Sequence, residues 1–264
     1  MSADELVISS LSAGYPGRDV IRAITLAPIR SGQVTALVGP NAAGKSTLLR
    51  AISGVLPATG DVLFKGRNLL RLSPRSRAAL LGFMPQNVPQ GAGLSVLEGM
   101  LSALHVGGST SADPIIDQAV RVLEQVGIMD IALRPFSGLS GGQRQLASLA
   151  QSIVRSPPLL LLDEPTSALD LGHQLDVMNL VRAYVAKDRI AIVVLHDLSF
   201  AARWADNIVV MAEGKLQAAG PPESAITPAI LQSVYGVRAR VERCSRGCLQ
   251  VIVDGRVGDS SEGA

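Results

Sequence analysis

The sequence predicts an α/β fold, a mainly parallel sheet with a helical segment inserted into it. Three observations lead there. Apolar runs of strand length, such as "LLLL" (159–162) and "IAIVVL" (190–195), alternate with helical stretches. A glycine loop, "GPNAAGKST" (39–47), joins a strand to a helix. Between about 87 and 155 the alternation lapses, and the pattern is helical apart from the turn-rich "HVGGSTSADP" (105–114).

Taken in order, strands are predicted over 6–11, 33–38, 61–64, 80–84, 159–162, 190–195 and 207–211. The second runs into the glycine loop, the fifth ends in two carboxylates, and the sixth ends before His196. Helices are predicted over 45–53, 95–103, 114–126, 141–154, 172–186 and 199–204. The first leaves the glycine loop, and the fourth leaves a second glycine-rich loop, "LSGGQ" (139–143). After Gly214 come short elements punctuated by "GPP" and "TP", then a β-hairpin near 237–253 and a frayed tail, "GDSSEGA".

Composition narrows the function. The chain has 264 residues, 47% hydrophobic and 17% charged, enough to bury a substantial core. Its apolar runs fall far short of the ~20 residues a membrane helix needs. "MSADELVISS" has neither a basic start nor an apolar stretch, so a cytosolic protein without a signal peptide is expected. A net charge of +2 and 3% aromatic residues argue against a nucleic-acid partner. Arg67, Arg71, Arg75 and Arg77 read as a solvated helix face. Cys244 and Cys248 have no second pair and no neighbouring histidine, whereas zinc wants four ligands. They read as ordinary residues, with a redox or metal role second.

"GPNAAGKST" fits G-x-x-x-x-G-K-[ST] through Gly39, Gly44, Lys45 and Ser46. Backbone N–H groups from Asn41 to Thr47 can wrap phosphates, Lys45 reaches the β/γ oxygens, and the Ser46 hydroxyl can ligate Mg²⁺. The residues expected at the nucleotide are thus Gly39, Pro40, Asn41, Ala42, Ala43, Gly44, Lys45, Ser46 and Thr47. "LLLLDEPTSALD" (159–170) ends its strand in Asp163, placed to hold Mg²⁺, and Glu164, placed to orient and deprotonate a water. In "VVLHDL" (193–198), His196 follows a buried strand at the edge where such sheets hold ligands, a candidate γ-phosphate contact.

With these motifs in this order, the chain resembles the ATP-binding subunits of ABC transporters over about residues 5 to 240. Tyr15 in "AGYPG" matches the aromatic that stacks on adenine, and Gln86 in "FMPQ" matches the Q-loop glutamine. "LSGGQ" matches the signature, "SALD" (167–170) the D-loop with Asp170, and His196 the switch histidine. The resemblance implies an ATPase with ATP and Mg²⁺ as cofactors. Catalysis falls to Glu164, His196 and Gln86, and the metal to Ser46, Gln86 and Asp163. It implies a nucleotide-binding core of 1–86 and 156–240, partly antiparallel, a helical subdomain of 87–155, and an extension of 241–264. Many relatives carry glycine where this chain has Ala42 and arginine where it has Leu146.

The resemblance also explains two anion-binding helix starts in one chain. Two copies pair head to tail, and Ser140, Gly141, Gly142 and Gln143 of one close over the ATP of the other. One core without a membrane segment implies separate integral membrane permease subunits, an extracytoplasmic substrate-binding protein, and a peripheral place on the cytoplasmic face. "LLGFMPQNVPQGAGLSVLEGML" (80–101) and the stretch 195–241 resemble importer subunits for iron–siderophore, haem and vitamin B12, iron chelates first. The alternative is a soluble ABC ATPase acting on a cytosolic assembly.

Overall fold

The computed structural model describes residues 5–86, 93–105 and 112–258. The chain opens with β1 (Glu5–Tyr15), β2 (Arg18–Arg30), β3 (Val34–Val38), α1 (Lys45–Ser53), β4 (Ala58–Phe64), β5 (Arg67–Asn68), α2 (Pro74–Ala78) and β6 (Leu81–Met84). The helices α3 (Val96–His105), α4 (Ala112–Val126) and α5 (Gly141–Ile153) follow, with no strand between them among the described residues. Alternation resumes with β7 (Leu159–Leu162), α6 (Leu171–Val185), β8 (Ile190–Val194), α7 (Leu198–Trp204), β9 (Asn207–Ala212) and β10 (Lys215–Gly220). The short helices α8 (Pro222–Ala225) and α9 (Pro228–Tyr235) lead to the hairpin β11 (Val237–Arg243) and β12 (Leu249–Arg256).

Six strands form one sheet in the order β10-β9-β3-β8-β7-β6, parallel except for β10 at the edge. Four form an antiparallel sheet, β2-β1-β4-β5. Because strand side chains alternate between faces, each central strand feeds two cores. Leu159, Leu161, Ile190 and Ile192 point into a layer shared with Leu48, Leu49 and Ile52 of α1 and Leu6 and Ile8 of β1. Leu160, Leu162, Ala191 and Val193 point the other way, against Ala147 and Ala150 of α5 and Met178 and Val181 of α6. The predicted continuous apolar runs are therefore strands buried on both faces. Helix α1 is sandwiched between the two sheets, which holds its N-terminal loop rigidly at the carboxyl edge of the parallel strands.

Four elements escaped the sequence reading: the two-residue β5, and β2, β10 and α2. In β2, Ala23 sits at φ 48° and the pairing with β1 shifts register repeatedly, so no period of two survives. β10, "KLQAAG", alternates exposed with partly buried small residues at a sheet edge. Helix α2 has five residues, none buried; Ser73 caps it and Pro74 starts it. The arginine reading needs correction. Arg67 lies in β5, Arg71 in a 3₁₀ turn and Arg75 and Arg77 in α2, so they share no helix face. Arg77 is a structural tie, donating to the carbonyls of Leu69 at 2.9 Å, Leu72 at 2.8 Å and Ser53 at 3.3 Å. The predicted hairpin is present. The tail from 259, and the segment 87–92 after Gln86, lie outside the described residues.

Candidate active site

Four strand ends converge. β3 delivers the glycine loop, β6 delivers Gln86, β7 delivers Asp163 and Glu164, and β8 delivers His196. The cleft between them measures about 700 Å³ and is lined by Asn41–Thr47 together with Tyr15, Gln86, Glu164 and His196. This is the carboxyl edge of the parallel strands, where α/β sheets hold ligands.

The loop's shape follows from its residues. A side chain at Gly39 would place its Cβ 2.0 Å from the Met211 carbonyl oxygen, so only glycine fits there. Ala42 adopts φ 63°, in the left-handed region that glycine enters freely and alanine at a cost of roughly 1–2 kcal/mol. That accounts for the departure seen in the sequence: the methyl is tolerated but strained. The Lys45 ammonium is buried and donates to the carbonyls of Gly39 at 2.6 Å and Pro40 at 2.9 Å. Burial pulls its pKa down, while the charges of Glu164 and Asp163 oppose that shift.

Asp163 is fully buried. Its Oδ1 accepts from the Ser46 hydroxyl at 3.0 Å, and its Oδ2 has no hydrogen-bond partner. Burial pushes its pKa up; the Ser46 hydroxyl opposes this, and the neighbouring Glu164 charge adds to it. A buried carboxylate oxygen without a partner is costly unless a cation or donor meets it. Ser46 and Asp163 therefore fit a hard divalent cation, whose preferred ligands are oxygens.

Glu164 stands in the left-handed region at φ 57°. Both its oxygens are engaged: Oε2 accepts from the Gln86 amide nitrogen at 2.8 Å, and Oε1 lies 2.7 Å from His196 Nε2. The three residues expected to carry catalysis thus meet directly. The Gln86 amide nitrogen is turned to Glu164, while Ser46 is the residue that meets Asp163.

One contributor was not legible in the sequence. Gln145, buried one turn into α5, donates through its amide nitrogen to the Glu164 carbonyl and to the Ser167 hydroxyl at 3.0 Å. Its amide oxygen accepts from the Ala168 N–H at 2.9 Å. It ties the α5 helix to the backbone of the glutamate. Tyr15, at the end of β1, is half-exposed beside the loop, and its hydroxyl accepts from Arg50 at 3.0 Å.

The second glycine-rich loop is not part of this cleft. Ser140 caps α5, with Ser140 and Gln143 forming a reciprocal capping box, and Ser140 and Gly141 are exposed. None of Ser140, Gly141, Gly142 and Gln143 lines the cleft. Asp170 caps α6, accepting from the His173 N–H at 2.9 Å, and is likewise outside it.

The family model described as ABC transporter matches residues 25–167. The chain belongs to the ABC transporter family. Within the family it is similar to the hemin import ATP-binding protein of Rhizobium meliloti, 38% identical over 244 residues that cover 88% of this chain and 92% of that one. The similarity to the Myxococcus xanthus protein of the same name is 40% over 229 residues, covering 83% and 84%. The cobalamin import ATP-binding protein of Halobacterium salinarum is 35% identical over 221 residues, or 81% of this chain. The chain spans about half the length of that relative, 55%. Among solved structures, a metal-chelate type ABC transporter in an inward-facing conformation superposes with a TM-score of 0.76 at 23% identity, covering 95% of this chain and 97% of the other. The cbiO1 protein of Clostridium perfringens, part of the cbiONQ transporter complex, gives 0.70 at 28% identity, covering 83% and 88%. These likenesses confirm the P-loop α/β fold expected from the motifs.

Proposed function

We propose that this ABC-family chain is the ATP-binding and ATP-hydrolysing subunit of an importer for a metal chelate. The observation that carries the reading is the direct meeting of Gln86, Glu164 and His196 beside the Lys45 loop. ATP phosphates lie along the N–H groups of Asn41–Thr47, and Lys45 turns from its two carbonyls to the β/γ oxygens. Ser46 and Asp163 would hold Mg²⁺, with Gln86 nearby, and the ion would supply positive charge to neutralise those oxygens. Glu164 orients and deprotonates the attacking water, and His196 contacts the γ-phosphate. Purified protein should hydrolyse ATP in a Mg²⁺-dependent way; absence of turnover in the presence of its membrane partner would overturn the reading.

The exposed start of α5 supports a head-to-tail pair. Ser140, Gly141, Gly142 and Gln143 close over the partner's ATP, with Asp170 near the same junction. The core is 1–86 with 156–240, and 87–155 forms the helical subdomain that carries the signature. Among the described residues no helix is long and apolar enough to cross a membrane. Permease subunits therefore anchor the chain at the cytoplasmic face, docking near Gln86, and a substrate-binding protein delivers the chelate from outside. The names of the relatives favour haem or cobalamin over the iron–siderophore chelate placed first from the sequence. Uptake of hemin, cobalamin and a ferric siderophore in a strain lacking the gene decides among them. Loss of one identifies the cargo, and undiminished uptake of all three removes the importer reading.

Two predictions attach to this site. Tyr15→Ala should raise the ATP Michaelis constant, because a ring under adenine contributes about 1–3 kcal/mol. Tyr15→Phe should change little, since among the described residues the hydroxyl's hydrogen bond is from the half-buried Arg50; equal large losses in both would mean that the hydroxyl matters. Gln145→Leu keeps the volume but frees the Glu164 backbone. Losing a buried hydrogen-bonded amide costs about 1–3 kcal/mol, so kcat should fall roughly 10-fold with KM unchanged. A raised KM at constant kcat would instead place Gln145 in nucleotide binding.

A further inference from the structure

The hairpin β11–β12 ends in a tight turn that carries both cysteines of the chain. Arg243 pairs with Leu249, so the next residues inward, Cys244 and Cys248, face each other across the strands. The Cys244 N–H donates to the Cys248 carbonyl at 2.9 Å, and the Gly247 N–H donates to the Cys244 carbonyl at 2.8 Å. Gly247 takes φ 77°, the left-handed residue that closes a three-residue hairpin loop with a bulge. Directly opposed residues in such a pair have Cα atoms about 5.5 Å apart, inside the ~4.4–6.8 Å window of disulfides. Both thiols are free and partly exposed.

Turn N–H groups, first that of Arg246 and then that of Cys248, hold the Cys244 thiol below the usual cysteine range. The register places the two side chains opposite one another, and the lowered pKa favours the Cys244 thiolate. Neither cysteine lines the nucleotide cleft. The hairpin is anchored along β12, where the Val251 N–H donates to the Ser199 hydroxyl on α7 at 2.9 Å, and beside the turn, where Arg243 pairs with Glu223 at 3.0 Å. The turn can change its covalent state without the strands leaving their place.

We propose that Cys244 and Cys248 form a dithiol site that closes to an intramolecular disulfide with low-molecular-weight disulfides, Cys244 attacking and Cys248 resolving. The Cys244 thiolate attacks one sulfur of the small disulfide and expels a thiolate, leaving a mixed disulfide on Cys244. The Cys248 thiolate then attacks the Cys244 sulfur and expels the second small thiol. The protein loses two electrons and two thiol protons, and the small disulfide is reduced to two thiols. On this proposal the pair takes the redox role that the sequence reading placed second.

Glutathione disulfide on the full-length protein tests it, read by intact mass and by alkylation of remaining thiols. Wild type should lose two hydrogen atoms, retain no glutathione and stay unlinked to other chains. Cys248→Ser should keep glutathione on Cys244 as a stable adduct, and Cys244→Ser should react more slowly. Gly247→Val leaves both thiols but strains the turn, so the adduct should accumulate before the ring closes. Wild-type thiols that stay fully alkylatable, a disulfide between chains, or closure in Gly247→Val as fast as in wild type would each overturn the proposal.

Discussion

Glu164→Gln is expected to keep ATP binding and to lower turnover at least ~10²-fold. The substitution preserves size and hydrogen bonding but removes the base. The neighbours make the expectation sharper. His196 Nε2 stands 2.7 Å from one Glu164 oxygen, and the Gln86 amide nitrogen donates to the other at 2.8 Å. An amide in place of the carboxylate meets a donor on the Gln86 side with its oxygen and still reaches His196, so the local geometry should survive. The loss then belongs to proton transfer rather than to misfolding. ATP should accumulate in a closed dimer, measured as nucleotide retained after gel filtration. Turnover at the wild-type rate would remove Glu164 from the role of base.

Lys45→Ala should weaken ATP binding about 10- to 100-fold, from the ~1.5–3 kcal/mol of a hydrogen bond to a charged group. The ammonium is buried and donates to two carbonyls of its own loop, at 2.6 and 2.9 Å. Those contacts fix the loop's curvature around the position proposed for the phosphate oxygens. Alanine removes both the charge and the strap across the loop. Nucleotide titration measures the loss, and an unchanged dissociation constant would contradict it.

How much of this was readable beforehand depended on where each role is encoded. Gly39, Lys45, Ser46, Asp163 and Glu164 were legible because a phosphate loop and a strand-end carboxylate pair confine residue types to a few adjacent positions. His196 and Gln86 were legible as candidates, but only the fold shows that both reach the same glutamate. Gln145 was silent because a glutamine on a helix carries no local signal; its role arises from packing against 164–168. β2 was missed because bulges break its alternation, and β10 because an edge strand of small and polar residues lacks an apolar run. The strain at Ala42 was visible only as a departure from glycine, and the backbone angle supplies the reason.

Trapped nucleotide per purified mixed dimer tests the central claim, that each ATP is enclosed by the Lys45 loop of one chain and the Ser140 loop of the other. Ser140 sits at the exposed start of α5, outside the cleft that Lys45 lines. A dimer with Lys45→Ala on one chain and Ser140→Arg on the other carries both lesions at one site and should trap one ATP. A dimer with both changes on one chain and none on the other damages both sites and should trap none. The reverse result, none trapped in the first arrangement and one in the second, would show that each chain completes its own site, and the head-to-tail assignment of "LSGGQ" would be wrong.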